Sequence, residues 1–166
     1  MSATDATTPA IEAATALGLD HEVTRHGRVN SLAEAAAARG IEPRDLVKSI
    51  VVRRGEDDYV FVLVPGDREF SWPKLRALLG VSRLSMPDAA TAREATGYER
   101  GTITPFGSTT AWPVVADATL AGEPDRVVSM GAGAHGVAVS VNAEAALIHL
   151  RAQVADVTEP VGRTPG

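Results

Sequence analysis

The chain has no cysteine. That removes disulfides, thiolate zinc ligands and thiol nucleophiles together, and it fits a reducing compartment. Aromatic residues are scarce as well, at 4 %, so a core has to be built mainly from Val, Leu, Ile and Ala. No stretch approaches the ~18 apolar residues of a membrane-spanning helix. The opening MSATDATTPA carries neither the basic nor the apolar segment of a secretion signal. A cytoplasmic protein with no membrane partner is the expectation. A basic excess is also missing: the formal net charge is −5. No global field would hold nucleic acid, so such a partner must be met by a local basic patch. Arg25, Arg28, Arg39, Arg44, Arg53 and Arg54 could form one.

What remains is ordinary globular composition, 45 % hydrophobic and 22 % charged over 166 residues. That suits one domain over residues 1–166, with frayed tails at about 1–8 and 159–166. Helix signals are clear. Thr8 caps a helix over 9–17 that stops at Gly18, and Ser31 with Glu34 forms a capping box before AEAAAARG. Ser71 caps a helix ended by Gly80, and a further helix runs from Pro87 to Gly97. The strongest hairpin signal is two β-branched runs, 46–53 and 58–64, around the turn-prone Gly55–Asp58. HEVTRH (21–26), VSRLSM (81–86), VVADATL (114–120), DRVVSM (125–130) and HGVAVSV (135–141) read as strands. Asn142 caps a last helix, and VADV (154–157) reads as a final strand. Helices and strands in this order predict an α+β domain with a mixed sheet.

Several familiar motifs fail. GAGAHG (131–136) matches G-x-G-x-x-G literally, but a dinucleotide site needs a helix directly behind it, and the alternating VAVSVN follows instead. A glycine-rich turn between strands, close to a ligand or another segment, is the better reading. There is no P-loop, no HExxH helix among the four histidines, and no G-x-S-x-G elbow. Arg53-Arg54 at a strand end reads as a solvated edge that could touch a phosphate.

Two stretches are unusual. In VKSIVV, Lys48 interrupts an aliphatic strand. Strand alternation puts Lys48 on one face with Leu46, Ile50 and Val52, and Val47, Ser49 and Val51 on the other. Both faces are apolar, which marks a central strand. Lys48 must line a cavity, reach a buried carboxylate or snorkel along the sheet. In TGYERGTITPFG (96–107), Gly97 and Gly101 free the backbone while Pro105 stiffens it. Such a loop can aim backbone N–H groups at a ligand, or can be a turn alone.

Lys48-Ser49 in a strand, then Thr96-Gly97-Tyr98, then Gly101 with Pro105-Phe106-Gly107, and a late glycine turn in SMGAGAHG resemble one family in order and spacing. It is the YbaK/ProX-type aminoacyl-tRNA deacylases, also known as the editing insertion domain of bacterial prolyl-tRNA synthetase. The resemblance runs from about residue 20 to 155. It implies an α+β (mixed α/β) fold, a six- to seven-stranded mixed sheet forming an open barrel flanked by helices. It implies hydrolysis of the ester of a mischarged tRNA, Cys-tRNA(Pro)-like first, with alanine or another small amino acid as alternatives. The tRNA's own ribose hydroxyl would help to place water, with no cofactor and no metal. Lys48 and Gly101 would be catalytic. Tyr98, Thr102, Thr104, Pro105, Phe106, Gly107, Ser129, Gly131, Gly133 and His135 would bind substrate. Partners would be the aminoacyl-tRNA 3′ end and a synthetase that could deliver it. Two other readings stay open: a non-catalytic aminoacyl- or nucleotide-binding accessory module, and a fold in which Lys48 merely satisfies a buried carboxylate.

Overall fold

The computed structural model describes residues 7–161. Side-chain caps begin most of its helices. Thr8 accepts from Ile11 N ahead of α1 (Pro9–Ala16). Ser31 accepts from Glu34 N at 3.1 Å ahead of α2 (Leu32–Ala38). The return half of that capping box is displaced by one residue, since Glu34 Oε2 accepts from Asn30 N. Ser71 and Asp88 cap α3 (Trp72–Leu79) and α4 (Ala89–Thr96), and Gly80 and Gly97 end them in the left-handed conformation. Asn142 caps α5 (Ala143–His149). Pro87 therefore lies just before α4 rather than in its first turn.

Seven strands form one mixed sheet. They are β1 (His21–Arg25), β2 (Leu46–Gly55), β3 (Asp58–Pro65), β5 (Val114–Asp117), β6 (Val127–Gly131), β7 (Val137–Asn142) and β8 (Gln153–Ala155). Their order is β1-β7-β6-β2-β3-β5-β8, so the sheet is open, with β1 and β8 at its edges. β2 and β3 make the expected antiparallel hairpin, while β2–β6, β3–β5 and β5–β8 run parallel. The two faces bury different cores. Val47, Val51, Phe61, Leu63, Met130 and Val139 pack towards α1, α4 and α5, with Tyr98 and Phe106 among them. Val52, Val60, Val62, Val64 and Val115 pack towards Leu75 of α3. Pairing of Ile50 with Val62 and Ser49 with Leu63 sets these faces, as the β2 alternation requires.

Two expectations change. Residues 81–86 form no strand: only Ser85 makes an isolated bridge, to Arg53. Ser82, Arg83, Ser85 and Met86 are exposed, and Leu84 packs against the α3-side core without a strand partner to continue the ladder. Conversely, Thr158–Pro160 pairs as β9 with β4 (Arg68–Phe70), drawing Glu159 and Pro160 out of the segment read as a frayed tail. The short run has no strand pattern of its own; Thr158 is buried by its contacts with Arg68. Residues 1–6 and 162–166 of the two tails lie outside the described residues. No helix among those described is long and apolar enough to cross a membrane.

Candidate active site

A cavity of about 380 Å³ opens where the sheet comes apart. β2 pairs with β6 only at Leu46–Ser129 and Val47–Met130. Beyond that point the strands diverge, and the edge of β2 over 48–52 has no strand neighbour until Ser85 meets Arg53. The gap is walled by β2, by Met86, Pro87, Ala89 and Ala92 before and within α4, by Gly101 and Ile103, and by Gly131 at the end of β6. β2 is thus central in strand order yet open along one edge, and Lys48 lies at that opening.

Lys48 is half-buried and lines this cavity. Its Nζ donates to the backbone carbonyl of Arg68 at 2.7 Å. Among the described residues no carboxylate pairs with it, so the reading in which it satisfies a buried carboxylate is replaced by one backbone acceptor and a cavity wall. An ammonium has three donors, which leaves two for a ligand. Burial lowers the Lys48 ammonium below its ordinary value, while Glu69 and Asp67 act weakly the other way.

Two more cations line the cavity, Arg39 at the end of α2 and Arg100, and among the described residues no carboxylate does. Arg39 Nη1 donates to Ser129 Oγ at 3.3 Å, and burial pushes its guanidinium below the usual arginine value, though not so far as to remove its charge. Arg39 Nε and Ser49 Oγ are buried and make no hydrogen bond among the described residues. Buried polar groups are normally paired, so these are groups a ligand can satisfy. Three cations, two unpaired polar atoms and an otherwise apolar wall suit a small ligand with an anionic part and an apolar part.

The 96–107 loop is rigid for identifiable reasons. Gly101 sits at φ +90°, and the loop tightens because Thr102 N and Oγ1 both donate to Glu99 O, at 2.9 and 2.8 Å. Tyr98 is buried and donates to Phe106 O at 2.7 Å. Gly133 N donates to Thr102 O at 3.2 Å, joining the loop to the GAGAHG turn. A Cβ on Gly133 would meet the Tyr98 ring at 2.6 Å, so only glycine permits this approach. Burial pushes the Tyr98 phenol up to about 12. Tyr98→Phe should cost about 1–3 kcal/mol, because Phe106 O is left buried without its donor; urea denaturation of the two proteins measures it.

The structure brings Lys48, Gly101 and Gly131 together on one cavity and separates the other expected site residues from it. Thr102, Thr104 and Phe106 are buried in the core, and Thr104 Oγ1 accepts from Phe106 N. Tyr98, Gly107 and Gly133 hold the loop from behind; Gly107, at φ +70°, leaves no room for a Cβ against Pro9 O. Pro105 faces a different cavity, beside Trp112 and His149. Ser129 is buried and acts through Arg39. His135 is exposed outside Gly101, its Nε2 3.5 Å from Glu99 Oε2. These residues shape the wall without lining it. Thr102 N is already committed to Glu99 O, so it is not a free donor; Gly101 N and Ile103 N donate to no acceptor among the described residues. Sequence reasoning missed Arg100, Ile103, Met86 and the apolar start of α4, and named Arg39 only as part of a basic surface. A cation beside a helix-ending Gly40 was the one available signal for Arg39.

Among the described residues, no three His, Asp or Glu side chains come together as a metal-binding group.

An open mixed sheet that parts around a half-buried lysine is the architecture, and comparison gives it its family. The sequence pattern of the aminoacyl-tRNA editing domain matches residues 26–147, within the expected 20–155, and the chain belongs to this family. It is 36 % identical over 98 residues to a proline–tRNA ligase of Thermosipho melanesiensis, covering 59 % of this chain and 17 % of the ligase. Against the Desulfovibrio desulfuricans ligase it is 35 % identical over 131 residues, 76 % of this chain and 22 % of the ligase. The chain thus spans about a fifth of these relatives' length. A crystal structure described as a candidate trans-editing enzyme for prolyl-tRNA synthetase superposes with TM-score 0.82 at 28 % identity, covering 93 % of this chain and 99 % of the other. The α+β fold with its mixed sheet is therefore shared with this family.

Proposed function

We propose that this protein is a trans-editing deacylase that hydrolyses the ester between a wrong amino acid and the 3′ end of a tRNA. The observation that carries the reading is the cleft itself: Lys48, Arg39 and Arg100 line a largely apolar cavity with no carboxylate among its described residues. A charged tRNA end presents a phosphate beside a small aminoacyl group, which is the pairing such a cleft accepts. Family membership and the likeness to the trans-editing candidate support the same reading.

In this mechanism Lys48 binds the terminal phosphate or ribose and orients the ester. Water, placed with help from the free hydroxyl of the terminal ribose, attacks the carbonyl carbon. The oxyanion that forms is met by Gly101 N–H, with Ile103 N–H as its neighbour. The acyl–oxygen bond then breaks, the ribose oxygen takes up a proton, and the amino acid and tRNA leave. Fixed donors of this kind act by electrostatic stabilisation and need no protein nucleophile. The apolar wall of Ile50, Met86, Ala89, Ala92 and Ile103 limits the amino-acid side chain, with cysteine on tRNA(Pro) as the first choice and alanine or another small residue next. One methylene in such a pocket changes discrimination by about 1–3 kcal/mol. The reaction belongs in the cytoplasm, where tRNA is charged, with a synthetase able to hand over the substrate.

The test is deacylation of tRNAs charged with Cys, Ala, Ser and Pro. Hydrolysis of one mischarged species and sparing of the matched one supports the proposal. Binding of charged tRNA with no turnover of any, with a synthetase present, would replace it with the accessory-module reading. Arg39→Ala should lower kcat/KM about 10- to 100-fold, the worth of a hydrogen bond to a charged group; steady-state kinetics measures it.

A further inference from the structure

A second cavity, about 540 Å³, lies at the far end of β2 and is lined by four arginines, Arg53, Arg54, Arg76 and Arg83. They come from three places: the end of β2, the last turn of α3 and the 81–88 connection. Among the described residues Glu56 is the one acid on its wall. Arg54 is held by Asp58, with Nε–Oδ2 at 3.0 Å and Nη2–Oδ1 at 3.1 Å. Arg53 spends only Nε, on Gly55 O. Among the described residues neither Arg76 nor Arg83 pairs with a carboxylate. The groove wall itself carries four arginines and Glu56, with Asp58 paired to Arg54 and Asp57 exposed in the same turn, in a chain whose net charge is −5. Like charges gathered in a groove repel one another unless an anion joins them.

The groove lies next to the cleft along β2 and the 82–87 segment. Residues 46–51 of β2 line the cleft, and 53–56 line the groove. The 82–87 segment is divided the same way, Met86 and Pro87 on the cleft and Ser82 to Ser85 on the groove. Between them Arg53 and Ser85 exchange backbone hydrogen bonds of 2.8 and 3.1 Å, which fixes the two segments side by side. Five residues of strand separate Lys48 from Arg53, roughly 17 Å, the reach of a few nucleotides of single strand. Guanidinium forks match phosphate oxygens in geometry as well as charge.

We propose that this groove holds the sugar-phosphate backbone of the tRNA acceptor end, upstream of the charged terminal adenosine. The single-stranded end would then run along β2 and deliver the ester to Lys48. This rests on the deacylase reading for which ligand enters the cleft, and it explains how an acidic protein holds a polyanion without a basic surface overall.

The experiment is fluorescence anisotropy with uncharged tRNA as probe, over a salt series, for wild type and the Arg76→Gln/Arg83→Gln double variant. Both positions are at least partly exposed, and thermal melting checks that the variant is folded. If the variant is unstable, Arg83→Gln alone is used, since Arg83 is exposed in a connection. Losing two phosphate contacts should weaken binding at low salt at least tenfold and flatten the slope of log K against log salt by about 1.4–1.8. With charged tRNA, KM should rise by a similar factor while kcat stays, and hydrolysis of a single aminoacylated adenosine should be unchanged. The proposal is overturned if the variant binds tRNA with the affinity and salt slope of wild type, or if wild type binds no tRNA at low salt. It is also overturned if the double variant loses affinity for polyglutamate but not for tRNA, which would make the groove a protein-docking site. Groove-dependent tRNA binding without hydrolysis of any charged tRNA would uphold the groove and overturn the deacylase reading.

Discussion

Lys48→Ala should lower the single-turnover rate of deacylation by about 10²-fold, the usual cost of misplacing an ester that one side chain orients. The protein should stay folded. Lys48 sits on the open edge of β2, and both it and Arg68, whose carbonyl it abandons, are only part-buried. The stability cost is therefore about 1 kcal/mol, one ordinary hydrogen bond. Lys48→Met keeps most of the aliphatic stem and should be as inactive as alanine, which separates charge from packing. Lys48→Arg should recover little, because a planar fork cannot take the place of a compact ammonium held by the Arg68 carbonyl. Rapid-quench hydrolysis and urea melts on the same preparations decide the matter. Activity lost only in proportion to the unfolded fraction would make Lys48 a structural residue.

Asp117→Ala should be the most destabilising of these changes, by about 3–5 kcal/mol, the range for stripping one partner from a buried charged cluster. Asp117 closes β5 and is 1 % exposed. Its Oδ1 accepts from Val157 N at 3.1 Å, and its Oδ2 accepts from Thr119 N at 3.1 Å and from Thr119 Oγ1. Arg68 Nε stands 3.9 Å away and donates to Thr158 Oγ1 at 2.6 Å. Alanine would leave Val157 N buried without an acceptor and loosen the β4–β9 pair behind Lys48. For a domain of this length that corresponds to a fall in Tm on the order of 10 °C, read by calorimetry. Burial alone would push the Asp117 carboxyl up, but the hydrogen bonds from Thr119, Val157 and Thr158 outweigh it and hold it below its ordinary value. A depressed folded value means that the carboxylate's contribution is fully present above the unfolded value near ~3.9 and is lost as pH falls through the folded one. Wild type should therefore weaken below about pH 4, and Asp117→Asn should lack that part of the loss. Equal acid dependence in the two proteins would remove Asp117 from the account.

Much of the fold is legible from local pattern. Thr8, Ser31, Ser71 and Asn142 act as caps, and Gly80 and Gly97 stop their helices in the left-handed conformation. The strand period of 2 set the faces of β2, placing Lys48 with Ile50 and Val52 before any pairing was known. Where local pattern was thin it misled: 81–86 has strand-like residues but no partner beyond Ser85, and 158–160 is a strand only because Arg68 and Phe70 pair with it. The candidate site divides along the same line. Lys48, Gly101 and Gly131 could be named from order and spacing, because a lysine in an aliphatic strand and glycines in tight loops are local anomalies.

What the sequence alone determined is the set of elements, the two-faced strand and the residues that break its rules. Tertiary structure decided which of those residues share a space. Phe106, Thr104 and Tyr98 sit close to Gly101 in sequence yet turn into the core, while Arg39 and Met86, remote in sequence, come to the cleft. The cleft exists because β2 and β6, about 80 residues apart, pair at two positions and then part. Local propensity carries no information on where two distant strands separate; that depends on which cores the two faces bury and on how the right-handed twist accumulates across the sheet.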